Sequence, residues 1–424
     1  MRDVVVTGVG VLTALGVGAE ATWSGLVEGR SGIGPLEGFD ASTLHTRIGA
    51  EISDFDPTAF AERRSLRLMT RNEQFATAAA KLAVADAGAD LTTIDPLRTA
   101  AFLGGNKEIS NPMKVADAIL ASRGPDGVAT MARLATDGVK QFHPLFYVEG
   151  LQAGALFYVS EAFGMKGANA YFHGTADSGM TAIGRAFRAV RRGEADVAVA
   201  GGFDEAVSWW SMAKMDGLGV LSTRNDLGAE AFRPYDRDRS GSVLGEGAAV
   251  VVLETAEQAK ARDANVYAKV VGFGGGNDAE GLLTPNPEGR GLVNAVRAAL
   301  RDAGDDLGAI DYVATHGAAT RLGDPSETLA LRTALGAAAD DVMASSIKPA
   351  TGHLVAAAGA LNVAVAALAV RHGVVPPTLN LTDPDRHCDL DWVPGSARET
   401  PVNGALALAR GLEGQNVALA LRAV

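Results

Sequence analysis

The 424-residue sequence predicts an α/β protein in which a β-α-β-α-β order occurs twice. Three observations predict it. Strand-length apolar runs end in glycines, as at residues 4–10 (VVVTGVG) and 99–105 (TAAFLGG), which is how strands buried on both faces of a parallel sheet read. Amphipathic stretches of helical period separate those runs. The alternation then restarts, so two similar halves are expected, residues 1–255 and 256–424.

Each element follows in order. Residues 4–10 form the first strand; Gly8 and Gly10 suggest a dinucleotide fingerprint, but its third glycine is misplaced, and the glycines read better as close packing against a neighbour. Phe75, Ala79, Leu82 and Ala83 mark a helix over 72–87 that Gly88 closes. After the strand at 99–105, residues 106–141 are polar and mixed, a helical excursion suited to partner contacts. An aromatic run follows, Phe142, Phe146, Tyr147, Leu151 and Phe157, with little charge, so segments 102–108 and 142–151 are expected to face a second subunit. Strands at 195–202 and 247–254 complete the first half. The second half reads as strand 266–274, a helix carrying Val293, Val296 and Leu300, strand 310–314, helix 326–335, strand 342–346, helix 356–370 and a terminal strand pair at 405–409 and 417–421.

Composition narrows the function. With 47% hydrophobic residues the chain buries a large core, while a net charge of -12 and no dense Lys/Arg run argue against a nucleic-acid surface. A single cysteine, Cys388, excludes an internal disulfide and fits a reducing compartment, with the cytoplasm expected. The strand pattern begins at residue 4, and no apolar run is read as reaching the roughly 18 residues of a membrane helix, so neither signal nor span is expected. No cofactor and no metal are expected either.

Residues 171–184 (YFHGTADSGMTAIG) turn from a strand through glycine into a helix that begins near Ser178. Unpaired N–H groups and the dipole at such a start lower a thiol's pKa and stabilise an oxyanion, so the turn suits a reactive cysteine. The residue there is Ala176. Ser178 lies two positions late and reads as an N-cap. In the second half, His316-Gly317, with Asp324 and Glu327 after it, and Lys348, with Gly352-His353 after it, follow the carboxyl ends of two strands, where α/β sheets gather their sites. Two imidazole N–H donors there suit the enolate left when a carboxylate departs as CO2.

With these residues in view the sequence resembles the elongating β-ketoacyl-acyl-carrier-protein synthases of thiolase fold. The resemblance runs along nearly the whole chain, including Arg233-Pro234-Tyr235-Asp236, Gly245-Glu246-Gly247, His316-Gly317, Lys348, Gly352-His353 and Gly414-Gln415-Asn416. It implies two β-α-β-α-β halves in a five-layered αβαβα arrangement and a Cys-His-His site. His316 and His353 match the family's histidines and Lys348 its supporting lysine.

The departures set the expected role. Ala176 stands where the family has its nucleophile, and a methyl group forms no thioester. Ala318-Ala319 replace a threonine and a glycine. The C-terminal gate reads Arg410-Gly411-Leu412-Glu413-Gly414, with Leu412 at the gating phenylalanine's place, so Gly411, Leu412 and Gly414 are the expected substrate-binding residues and the charges at Arg410 and Glu413 are expected to unsettle the gate. Three readings follow. The chain resembles the cysteine-less chain length factor that partners a catalytic ketosynthase, and with it an acyl carrier protein, in type II polyketide synthesis, shaping the acyl tunnel of a heterodimer. The alternatives are a malonyl-carrier-protein decarboxylase making primer, and an active synthase with an engineered Cys-to-Ala change at position 176. A catalytic role for Cys388 is not expected.

Overall fold

In the computed structural model, described for residues 1–106, 111–149, 151, 153–304 and 310–424, ten strands form the main path of an eleven-stranded sheet, the short strand Gly16–Val17 pairing beside the first of them. The first five are β1 (Val4–Thr13), β2 (Thr99–Gly105), β3 (Asn169–His173), β4 (Val197–Asp204) and β5 (Gly247–Thr255). Five more follow, β6 (Ala268–Asn277), β7 (Tyr312–Ala314), β8 (Met343–Ser345), β9 (Gly404–Arg410) and β10 (Gln415–Arg422). Their spatial order is β8-β7-β9-β10-β6-β1-β5-β4-β2-β3. Read from the centre outwards, β6-β10-β9-β7-β8 repeats β1-β5-β4-β2-β3 position for position. The directions repeat too. β2 runs parallel to β3 and β4, as β7 does to β8 and β9, while β5 and β10 are antiparallel to both their neighbours. The two sets join where Val4, Val5 and Val6 pair antiparallel with Val270, Lys269 and Ala268.

Five helices complete the layers: α1 (Arg71–Asp86), α2 (Ser178–Arg192), α3 (Arg290–Ala303), α4 (Gly323–Leu335) and α5 (Ala358–His372). The apolar faces of α2 and α5 share one buried cluster between the sheets, α1 covers the outside of β1, β4 and β5, and α3 covers β6 and β10 with α4 beside it. This is the thiolase-like five-layered arrangement. The glycine pairs explain how equivalent helices come so close. A Cβ on Gly8 or Gly10 would lie 2.1 Å from Ala83 O or 2.0 Å from Ala79 O of α1, and one on Gly272 or Gly274 would lie 2.1 Å from Ala299 O or Ala295 O of α3. Close packing is thus what Gly8 and Gly10 serve.

Two expectations need correction. An apolar run of membrane length does exist, Val355–His372 with mean hydropathy 1.5, but it is 83% buried inside the protein as the α5 core helix. Ser178 is the first residue of α2 and not its N-cap; that position is Asp177, and the Ser178 hydroxyl donates to Thr175 O at 2.9 Å. The excursion after β2 is helical, with helices at Pro112–Ala121 and Met131–Thr136. Residues 107–108 and 150 of the segments expected to face a partner lie outside the described residues.

The sheet's two edges differ. β8 is covered, Met343 and Asp391 forming a bridge and Ala344 N donating to Asp391 O at 2.8 Å. β3 pairs only with β2 among the described strands, both its ends are exposed, and Tyr147, Leu151 and Phe157 stand 71%, 57% and 64% exposed in the segment leading to it.

Candidate active site

One cavity of about 420 Å³ collects most of the sequence-predicted residues: Ala176, His316, His353, Gly411, Leu412 and Gly414 all line it. Lys348 lies behind this wall. The turn between β3 and α2 delivers Ala176, which is 1% exposed, and the ends of β7 and β8 deliver the loops bearing His316 and His353.

The two rings meet edge to face, with centroids 5.4 Å apart and planes at 75°. Their tautomers are set by backbone donors. Arg410 N–H donates to His316 Nδ1 at 3.3 Å, and Val355 N–H donates to His353 Nδ1 at 3.0 Å, so each neutral ring carries its proton on Nε2. Burial, then Lys348 and His353, pushes His316 well below the usual histidine range, and burial with Lys348 takes His353 down to about 3. Both rings are therefore neutral at physiological pH and act as Nε2 donors. The Val355 bond requires φ of 40°, a left-handed conformation that is rare for a β-branched residue and marks a strained position at the site.

A buried scaffold fixes His316. Glu327 accepts from His316 N at 2.7 Å and Gly317 N at 2.8 Å, and the Tyr235 hydroxyl reaches the same carboxylate at 3.0 Å. Lys348 Nζ donates to His316 O. Burial lowers the lysine to about 8, with the nearby carboxylates Glu327 and Asp324 opposing that fall. Tyr235 is itself clamped, its ring 3.5 Å from that of Trp392 and its N–H donating to Asp324 at 2.7 Å. Asn362 of α5 ties the loop to the sheet by donating to Thr315 O and Leu408 O.

The Ala176 side is built differently. Thr175 Oγ1 accepts from Leu412 N–H at 2.9 Å and lies 3.4 Å from Glu413 Oε2. Asp177 is 8% exposed, and burial raises its carboxyl to about 6. Arg410 does not unsettle its loop. Its guanidinium is buried and bonds to Asn416 Oδ1 at 3.0 Å, Gly323 O at 3.1 Å, Ser326 Oγ at 3.1 Å and Asp278 at 3.2 Å, so the charge fastens the segment. Ala319 adopts φ of 56°, a conformation where glycine costs less. Thr175 and Asn362 carry no role in the sequence reading. Thr175 and Leu412 are 237 positions apart, and only their contact reveals the role.

Residues 1–259 match the family model for the β-ketoacyl synthase N-terminal domain and residues 267–382 the model for its C-terminal domain. The chain belongs to the β-ketoacyl synthase family. It is 36% identical to 3-oxoacyl-[acyl-carrier-protein] synthase 2 of Coxiella burnetii, across 100% of this chain and 99% of that protein. Among solved structures, the ishigamide ketosynthase/chain length factor superposes with TM-score 0.88 at 30% identity, covering 100% and 99% of the two chains. A type II PKS acyl-carrier protein in complex with its ketosynthase bound to the hexaketide superposes with TM-score 0.89 at 27% identity, again over 100% and 99%. A ketosynthase-family fold for fatty-acid or type II polyketide synthesis thus carries alanine at the turn and both histidines beside it. Among the described residues no cluster of His, Cys, Asp or Glu is arranged to hold a metal ion, and Cys388, the single cysteine, is buried elsewhere, its thiol pushed up to about 12 by burial.

Proposed function

We propose that this chain is the non-condensing subunit of a ketosynthase pair, resembling a chain length factor, which shapes the acyl tunnel beside a cysteine-bearing partner served by an acyl carrier protein. The observation that carries this reading is Ala176 in the same cavity as His316 and His353. Its methyl cannot take up an acyl group, so condensation needs a thiol from another chain. The solved relatives, a ketosynthase/chain length factor and a ketosynthase with its carrier protein, support partners of that kind. On this reading residues 1–255 and 256–424 are the two halves, His316, His353 and Lys348 are the retained reaction residues, and Gly411, Leu412 and Gly414 line the substrate path. The partner seats against the β3 edge of the sheet, and exposed Tyr147, Leu151 and Phe157 in the segment before β3 supply apolar contact. Mixed with a cysteine-bearing ketosynthase from the same genome, the chain should sediment as a dimer. A stable monomer both alone and in the mixture would remove this reading.

A second reading has its own observation. Two neutral rings with Nε2 protons suit the enolate of a malonyl thioester, and decarboxylation needs no acyl-enzyme. A decarboxylase would release CO2 from malonyl-carrier protein well above the His316→Ala, His353→Ala double variant; equal release would exclude it. A single engineered change at position 176 fits less well, because the Thr175 contacts with Leu412 and Glu413 and the Arg410–Asp278 pair are features that one substitution does not create.

A further inference from the structure

The residues on either side of Ala176 both reach the segment that runs from Arg410 to Gln415. Thr175 takes the Leu412 N–H at 2.9 Å and approaches Glu413 at 3.4 Å. On the other side, Asp177 Oδ1 and Gln415 Oε1 each lie 2.6 Å from the point where a Cβ on Gly411 would stand, with Thr175 Oγ1 3.2 Å from it. A Cβ at 411 would press on these two side-chain oxygens, neither of which has a hydrogen-bond partner among the described residues. The far end of the segment is held by Arg410, whose guanidinium makes four bonds and whose N–H reaches His316. Thr175, Ala176, Gly411 and Leu412 all line the cavity, so this fastening borders the space beside Ala176.

Fixed backbone N–H groups in a cavity wall are suited to a developing oxyanion, and an amide already given to a hydroxyl oxygen has no hydrogen left to offer. We propose that Thr175 is a positioning residue that latches the Arg410–Gln415 segment shut and withholds the Leu412 amide from any acyl group in this cavity. This deepens the non-condensing reading and rests on it: the chain lacks a nucleophile, and the Leu412 amide beside the turn is occupied. A thiol restored at 176 would meet a thioester whose carbonyl finds its stabilising amide occupied.

The test separates donor loss from simple access. In the Ala176→Cys background, the thiol is acylated by hexanoyl-pantetheine thioester: the thiolate adds to the carbonyl, a new C–S bond forms, and pantetheine leaves as its thiolate and takes up a proton. Alkylation by iodoacetamide needs no carbonyl stabilisation. Thr175→Val keeps the shape but removes the acceptor, and should raise the acylation rate about tenfold or more, the size expected for one oxyanion donor or less, with alkylation within about twofold. Thr175→Ser should stay at the parental rate. Equal changes in both rates, or no change in either, would overturn the latch. In the native chain, without partner or added thiol, hydrogen exchange gives a second reading. The Leu412 amide should exchange at least about fivefold faster in Thr175→Val, while amides of β4 and β9 keep their protection and report an intact fold. An unchanged Leu412 rate would also overturn the proposal, whereas the sedimentation result bears on the subunit reading alone.

Discussion

The two walls of the cavity face each other and are built on opposite plans. The wall from β7 and β8 holds His316, His353, Lys348 and Glu327, and each is satisfied by backbone groups: Glu327 by two N–H donors, Lys348 by His316 O, each ring by one N–H. The wall from the β3-α2 turn and the β9-β10 connection carries Ala176 beside Thr175, whose hydroxyl joins the two segments through Leu412 N–H and Glu413. The lesson is that chemistry and access diverge separately. A chain can keep the donors that act on a thioester while closing the place where the acyl group would be stored.

Substitutions should expose this contrast, and the largest effect belongs to the histidine wall. Glu327→Ala strips the acceptor from the part-buried His316 N–H and the buried Gly317 N–H and should cost about 3–5 kcal/mol of unfolding free energy in denaturant titration. Glu413→Ala on the opposite wall removes an exposed carboxylate with one long contact and should change stability by less than about 0.5 kcal/mol. Comparable losses in the two variants would mean that the walls do not differ in the way described.

A smaller effect comes from Asp177. Its carboxyl is raised from 3.8 to about 6 by burial, with Glu413 adding to the rise. Between about pH 4 and 6 the folded chain therefore binds more protons than the unfolded chain, and stability falls as pH rises through that window. Asp177→Asn cannot ionise, so it should be more stable than the parent by about 1–3 kcal/mol at pH 7.5 and nearly equal to it at pH 4. Urea titrations at the two pH values measure the difference. A parent whose stability is flat across pH 4–6 would show that the carboxylate is better solvated than its position implies.

Much of the fold was legible because burial writes itself into period and punctuation. The strand at 99–105 was read to the residue, and the strands and helices of both halves fall within a few positions of their expected ends, since apolar runs and glycines mark them directly. His316, His353, Lys348 and Ala176 were legible as motifs, being short segments at strand ends. The latch was not. Thr175 meets Leu412 237 positions away, and a threonine in a turn carries no local sign that its hydroxyl has a distant partner. Arg410 misled for a related reason: a charge in an apolar gate reads as disruption until Asp278 and Ser326 come beside it. Val355–His372 was underread because its length is shared between a short 3-10 turn and α5.

The central claim is that this chain does not condense by itself even when a thiol is supplied. Ala176→Cys, purified without any partner subunit and given an acyl donor with malonyl-carrier protein, tests it most directly. Asp177 beside the new thiol opposes the helix dipole and the Leu412 amide is occupied, so the account predicts little or no elongated product and at most slow labelling by iodoacetamide. Robust elongation by that homomer would contradict it and would identify the chain as a synthase that lacks only its cysteine.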